Sequence, residues 1–203
     1  MLTVLNRRQL FSMAAAATRL GAAGEDFWNT RPPTEWNAGD IYRLMNHSPW
    51  ANSLQATTSL NPNPPTFTTD DRIPWLPSGP KCVVTWESAR PIRDALKSPL
   101  PSIFRDSYVI GVDGIPQMDG RGPSSARRFA VLRGKGKQKW TVQATLSREI
   151  IRNSAVYAFG FPRAAAPIDL DLNQVVFETQ FGKWIIHAKF QPKAMNYRGT
   201  LAL

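Results

Sequence analysis

Apolar side chains recur at every second position in several short runs after residue 80, and polar side chains fill the positions between them. This alternation places the apolar side chains on one face of a half-buried strand. The runs cover residues 82–86, 108–112, 128–132, 140–146, 156–161, 175–180, 184–190 and 197–203. Because turn signals separate the runs and no strand–helix alternation occurs, we predict a mainly β protein. An antiparallel β-sandwich is expected, with a partly open β-barrel as the alternative.

One short helix is predicted ahead of the strands. Asn37 is a suitable N-cap, Asp40 stands three residues later, apolar residues follow at helical spacing, and Pro49 stops the helix. The helix lies in a Trp-rich stretch that leads into a linker rich in Pro, Asn and Thr. We therefore divide the mature chain into residues 24–80, the Trp-rich helix and linker, and 81–203, the antiparallel β domain.

The first 23 residues have the order of a signal peptide, with a basic front, a short apolar middle and a small-residue end. Arg7 and Arg8, followed by Gln-Leu-Phe, resemble the twin-arginine motif. We expect residues 1–23 to be a leader that directs the protein to the periplasm or the medium, with cleavage after Ala23. The general secretory route is one alternative, and an amphipathic N-terminal helix of a cytoplasmic protein is another.

The leader's apolar stretch is shorter than the ~20 residues that a membrane-spanning helix needs. No later segment of the sequence reaches that length either. We therefore expect no membrane span in the mature chain.

The chain is basic, with a formal net charge of +10. Three of its 25 basic residues lie in the leader, which leaves 22 against 15 acidic residues and a net charge of +7. A positive balance favours attraction to polyanions without naming one.

One run of the mature chain, residues 121–139, holds seven basic residues and no carboxylate. A hairpin joining 128–132 to 140–146 is expected to carry the run at or beside its tip. The candidate polyanion site consists of Arg127, Arg128, Arg133, Lys135, Lys137 and Lys139. An acidic glycan, an anionic surface or another envelope protein would suit it, and export disfavours nucleic acid. The alternative is a solvated hairpin whose lysines resist edge aggregation.

The residues that usually carry catalysis are few. Cys82 is the single cysteine, so no internal disulfide and no multi-cysteine metal site can form, and its apolar strand face indicates a core residue. His187 falls on the polar side of its strand between two lysines, and His47 ends the predicted helix, where it can cap. We therefore predict no metal site and no catalytic residues.

Paired carboxylates offer the other route to catalysis. Asp70 with Asp71, and Asp169 with Asp171, are the close pairs, and turn chemistry explains both. Phosphate-loop, dinucleotide and nucleophile-elbow patterns do not occur, so no cofactor is expected. A glycan-directed exported hydrolase using carboxylates is kept as the enzymatic alternative.

The mature part resembles uncharacterised exported bacterial proteins that share a Trp-rich N-terminal stretch ending in Ser48-Pro49-Trp50 and a β-rich C-terminal half. This resemblance implies neither an activity nor catalytic residues. Together the patterns predict an exported, non-catalytic β protein with a binding or structural role.

The leader generates a first prediction. Replacing both Arg7 and Arg8 by Lys should block export, because lysine keeps the charge but not the paired guanidinium groups of the motif. N-terminal sequencing of protein from the envelope fraction should give Gly24 as the first residue. A control substitution, Arg19→Lys, should leave export intact. Retention of Met1 in a purely cytoplasmic pool would contradict export, and unimpaired export of the double variant would contradict the twin-arginine route.

Overall fold

The computed structural model describes residues 26–58, 77–116, 123–137, 139–152 and 154–203. The predicted leader and most of the predicted linker, including Asp70 and Asp71, lie outside these ranges, and so does Arg121. The strands are β1 (His47–Ser48), β2 (Ala51–Thr58), β3 (Pro77–Trp86), β4 (Ser107–Asp113), β5 (Val131–Lys135), β6 (Trp140–Gln143), β7 (Leu146–Ile151), β8 (Ala155–Pro162), β9 (Gln174–Phe181), β10 (Trp184–Phe190), β11 (Asn196–Tyr197) and β12 (Thr200–Leu201). The α-helices are α1 (Phe27–Thr30), α2 (Ala38–Asn46), α3 (Arg90–Leu96) and α4 (Pro123–Arg127).

The strands confirm the predicted mainly antiparallel β class. One sheet runs in the order β6-β5-β9-β10-β2-β3-β4-β8-β7, with β1 added on β2, and β11 pairs separately with β12. The sheet curls into a half-barrel, so the apolar side chains of its strands face one another across the inside. Of the two arrangements predicted, the partly open barrel describes this single curled sheet.

The two edge strands of the sheet, β6 and β7, follow each other in the chain. The backbone N–H of Ala144 donates to the carbonyl of Ala130 at 2.9 Å, and the N–H of Thr145 donates to the carbonyl of Gly160 at 2.9 Å. Main-chain pairing therefore passes from β5 to β8 between these two residues. The prediction of one strand over 140–146 is wrong here, because the chain changes partners and the strand divides.

The hairpin predicted around the basic run is present, with Gly134 opposite Trp140 in the β5–β6 register. Its first strand begins later than predicted, at Val131 and not at residue 128. The N–H groups of Phe129 and Ala130 bond to the carbonyls of Ala126 and Arg127, both at 3.0 Å, which continues the turn that ends α4. Those hydrogen bonds replace the strand pairing predicted for residues 128–130.

The core fills the inside of the curled sheet and extends to the Trp-rich opening. Trp50 and Trp86 are completely buried, and Trp28 packs edge-on against Trp50 with ring centroids 5.5 Å apart. The Trp50 indole N–H donates to the carbonyl of Ala202 at 2.8 Å. The alternation of their strands predicts that Trp140 and Trp184 are buried, but both are only partly buried, at the margin of this core. The start of the described chain is thus packed into the same core as its end.

Helix α2 begins as the sequence predicts. The side chain of Asn37 accepts from the N–H of Asp40 at 2.9 Å, and the Asp40 carboxylate accepts in return from the N–H of Asn37 at 3.2 Å. Asp40 is buried and also binds Arg31 at 2.8 Å and Arg43 at 2.7 Å. The hydrogen bond from Arg31 lowers the pKa of Asp40 to about 2, with help from Arg43 and Asn37 and against the effect of burial. None of the described helices combines the length and the apolar composition needed to cross a bilayer.

Asp40 generates a prediction on stability. Its depressed pKa means that the ionised carboxylate stabilises the fold above its unfolded-state pKa, and that this contribution is lost as the pH falls through about 4 towards about 2. Asp40→Asn should lower the free energy of unfolding at pH 7 by about 1–2 kcal/mol, a figure reduced because both arginines are partly exposed.

Urea unfolding at several pH values measures the effect. The difference between wild type and Asp40→Asn should shrink as the pH approaches 3. The exposed Asp106→Asn removes the same charge and should show little effect at any pH. A constant difference across this range would contradict the role given to the charge of Asp40.

Candidate functional site

The most deeply buried ion cluster in the described residues centres on Glu87, which follows β3 directly. Glu87 is 1% exposed. Arg93, from α3, donates from Nη2 to Oε2 at 2.6 Å, and Arg152, which follows β7, donates from Nη2 to Oε1. Each carboxylate oxygen therefore has its own guanidinium, and the three side chains carry a net charge of +1.

Local sequence explains how Glu87 reaches this position. Its Oε1 would lie 2.7 Å from a Cβ atom on Gly111 of β4, so the missing side chain of that glycine leaves the space that the carboxylate fills. Ser88 fixes the segment by accepting the N–H of Val109 at 3.0 Å. Helix α3 then starts at Arg90 with Pro91 in its first turn, where proline is tolerated, and places Arg93 over the carboxylate.

Burial and charge act against each other in this cluster. Burial raises the pKa of Glu87, while the positive charges of Arg152 and Arg93 act to lower it. Burial also lowers the pKa of Arg93. The Nε of Arg93 is buried without a hydrogen-bond partner among the described residues. A buried charge is costly unless an opposite charge and hydrogen bonds compensate for the lost water. The position of Glu87 therefore depends on its two arginines.

The two arginines stand in the wall of a cleft of about 600 Å³, which we call the α2–α3 cleft. It lies between α2, α3 and the turn from β7 to β8. Eight of the fifteen lining residues are apolar: Ala38, Ile41, Met45, Leu96, Pro99, Pro101, Ile150 and Ile151. Tyr42 and Ile151 are 61% and 72% exposed at this site. The cleft thus joins a recessed pair of guanidinium groups to an open apolar surface.

Asp113, the last residue of β4, contributes a carboxylate to the lining of the cleft. Its Oδ2 accepts from the Ser154 hydroxyl at 2.7 Å and its Oδ1 from the N–H of Gly114 at 2.6 Å. Asp113 and Tyr42 also line an adjoining depression of about 630 Å³ that includes His47. The two concavities therefore share part of their lining, and we refer to the two together as the groove.

This groove lacks the arrangement that hydrolysis would need. Both oxygens of Glu87 are engaged by arginines, so Glu87 and Asp113 do not form an acid–base pair. Cys82 also borders the groove, but burial, followed by the nearby Asp113, raises the pKa of its thiol to about 12. A thiolate nucleophile is disfavoured there, which agrees with the prediction that Cys82 is a core residue.

Two further features concern carboxylates and metals. Asp169 performs the predicted turn chemistry, because its Oδ1 accepts the N–H groups of Asp171 and Leu172 at 2.9 and 3.1 Å. Within the described ranges, no group of three His, Cys, Asp or Glu side chains is placed to hold a metal ion.

The structure divides the six residues of the predicted polyanion site. Lys137 and Lys139 are exposed at the turn of the hairpin, and Lys135 is the last residue of β5. Arg133 differs from the expectation of a tip residue: it lies within β5, and its Nη1 is 3.2 Å from Oε2 of Glu178 on β9. The reason is that Arg133 and Glu178 share the outer face of two neighbouring strands.

The remaining two members lie at the other end of β5. Arg127 ends α4 and its Nη1 donates to the carbonyl of Thr145 at 3.3 Å. Arg128 lies 4.6 Å above the ring of Phe129. Four residues of β5, 131–134, lie between them and Lys135, at about 3.4 Å per residue. The predicted site is therefore two separate basic surfaces.

The histidines lie near the positions predicted for them. His187 is exposed on its strand, but its Nδ1 also lies 3.1 Å from Oε1 of Glu178. His47 is the C-cap of α2, where its backbone N–H donates to the carbonyl of Arg43.

Sequence reasoning missed the α2–α3 cleft and the Glu87 cluster beside it. Glu87 directly follows the strand that Trp86 ends, and Asp113 has the pattern of an ordinary turn residue before Gly114. A charged residue directly after a buried strand, followed by Arg93 six positions later, was the one available signal. The pairing with Arg152, 65 residues away, is visible only in the fold.

The fold and the site define a mainly antiparallel β protein with a helix-walled surface cleft. Comparison of the chain with known protein families, with curated proteins and with solved structures gives no match in any of the three. We therefore infer the function from the geometry of the cleft.

The Glu87 cluster generates a prediction. Arg152→Met should lower the free energy of unfolding by about 2–4 kcal/mol, because the buried carboxylate keeps only Arg93 as its partner. Arg148→Met changes an exposed arginine on β7, four residues before Arg152, and is the matched control, which should change stability by less than about 0.5 kcal/mol. Urea unfolding at neutral pH measures both. Equal losses in the two variants would contradict the dependence of Glu87 on Arg152.

Proposed function

We propose that the protein is exported and acts as a non-catalytic binding protein, with the α2–α3 cleft as its ligand site. One observation carries this proposal. Among the described residues, four large hydrophobic side chains are exposed, and two of them, Tyr42 and Ile151, line this single cleft. Exposed apolar surface gathered in a concavity is typical of a binding site.

Two further features support binding without catalysis. The Glu87 carboxylate is held by two arginines, and the Cys82 thiol has a raised pKa, so neither is prepared for reaction. The hydrolase alternative requires a pair of facing carboxylates, and the described lining of this cleft holds one, that of Asp113. Export is supported by the paired arginines and small-residue end of residues 1–23.

A second candidate function is electrostatic binding at the turn of the β5–β6 hairpin. The exposed Lys137 and Lys139 favour it, with an acidic glycan, an anionic surface or another envelope protein as the partner. It has less support than the cleft, because Arg133 is engaged by Glu178 and the Arg127–Arg128 pair lies at the far end of the strand.

Binding of an uncharged fluorescent probe tests the cleft. N-phenyl-1-naphthylamine should bind to the wild-type protein, and Ile151→Asp should weaken that binding about tenfold or more. The reason is that one buried side chain of this size contributes about 1.5–3 kcal/mol. Fluorescence titration measures the affinity.

Leu170→Asp is the matched control, since Leu170 is 51% exposed and lies outside the cleft lining. It should leave probe binding unchanged, and far-UV circular dichroism should show that both variants are folded. Equal probe affinity in the wild type and Ile151→Asp would place the binding surface elsewhere and overturn the proposal.

A further inference from the structure

We infer that the ligand of the α2–α3 cleft is an apolar carboxylic acid whose carboxylate binds to Arg152 and Arg93. This inference rests on the proposed function of the cleft and names the class of ligand it takes. It follows from the hydrogen-bond capacity of the two arginines, from the charge of the cleft and from the character of its walls.

The two arginines retain hydrogen-bond donors. A guanidinium carries five N–H donors. Within the described residues, the Arg152 side chain makes one hydrogen bond, to Glu87, while Arg93 bonds to Glu87 and to the carbonyl of Ser98 at 3.2 Å. Both side chains are 20% exposed and line the cleft. Donors therefore remain for a carboxylate, which guanidinium groups bind in a planar, often bidentate geometry.

Glu87 prepares this site for an anion. Because it is buried and holds one guanidinium on each oxygen, it fixes both arginines before a ligand arrives. A side chain that is already held loses less conformational entropy on binding. Glu87 neutralises only one of the two positive charges, so one positive charge remains for the ligand.

The remaining charges of the cleft favour a ligand with a single negative charge. Asp113 belongs to the same lining and would repel a second negative charge. A phosphate monoester carries about −1.5 to −2 charges at neutral pH, more than the net charge of +1 on the arginines and Glu87 can balance. With Asp113 counted, the charges of the two arginines, Glu87 and Asp113 sum to zero, so a carboxylate, with one charge, meets less repulsion here than a phosphate does.

The walls indicate an apolar body for the ligand. Ile41, Met45, Leu96 and Ile150 are partly buried in the lining, and Ile151 and Tyr42 extend it outwards. A volume of about 600 Å³ lies within the usual range for small-molecule sites. An alkyl or aryl chain bound along these side chains would leave its carboxylate at the arginines.

Displacement of N-phenyl-1-naphthylamine from the full chain tests the inference with pairs of probes that differ only in charge. Decanoate and naphthalene-1-acetate should each bind at least tenfold more tightly than decan-1-ol and 2-(1-naphthyl)ethanol, their uncharged counterparts. Decyl phosphate should bind more weakly than decanoate because of its second charge.

Two variants separate the roles of the charged groups. Arg152→Gln should weaken decanoate binding tenfold or more and leave decanol binding unchanged, and Arg148→Gln should alter neither. The acid–alcohol comparison in the wild type decides the question even if Arg152→Gln does not fold.

The outcomes separate this inference from the proposed function. Equal binding of both acids and their alcohols, with Ile151→Asp weakening all of them, would overturn the acid inference and leave the cleft as a binding site. Tighter binding of decyl phosphate than of decanoate would overturn the preference for a single charge. Failure of every probe, together with no effect of Ile151→Asp, would overturn the proposed function itself.

Discussion

The rest of the structure depends on a change of main-chain hydrogen-bonding partner between Ala144 and Thr145. Ala144 bonds to the chain at the start of β5, and Thr145 bonds to β8. This change of partner connects the two edges of the sheet through consecutive residues, so the sheet curls and its apolar face encloses a core. It also fixes where β7 runs, since β7 continues directly from this point along β8. Arg152 follows β7, and it reaches Glu87 only because β7 is held on that edge.

The buried carboxylate of Glu87 determines which charged side chains must lie around it. A buried carboxylate is costly unless it is paired and hydrogen-bonded, and here the two partners come from α3 and from the end of β7. The same arrangement holds two cations at the side of an apolar concavity. The fold and the proposed ligand site therefore depend on the same three side chains.

Much of the fold follows from local patterns, and the exceptions have a common cause. Alternation predicted most of the strands, the Asn37–Asp40 spacing predicted the cap of α2, and the apolar face of β3 placed Cys82 in the core. The start of β5, the division of 140–146 and the pairing of Arg133 with Glu178 depend on hydrogen bonds and register between distant strands. The α2–α3 cleft belongs to this second group, because its walls come from four separate parts of the chain.

The hydrogen bond from Trp50 to Ala202 spans 152 residues and has a consequence for biosynthesis. Contacts of such high sequence separation raise the contact order and slow folding, since a long loop must close before the contact forms. The indole of Trp50 cannot find its native acceptor until residue 202 has left the ribosome. The aromatic cluster around Trp50 therefore completes its packing after the strands have been translated. Until then its apolar side chains are exposed and accessible to chaperones.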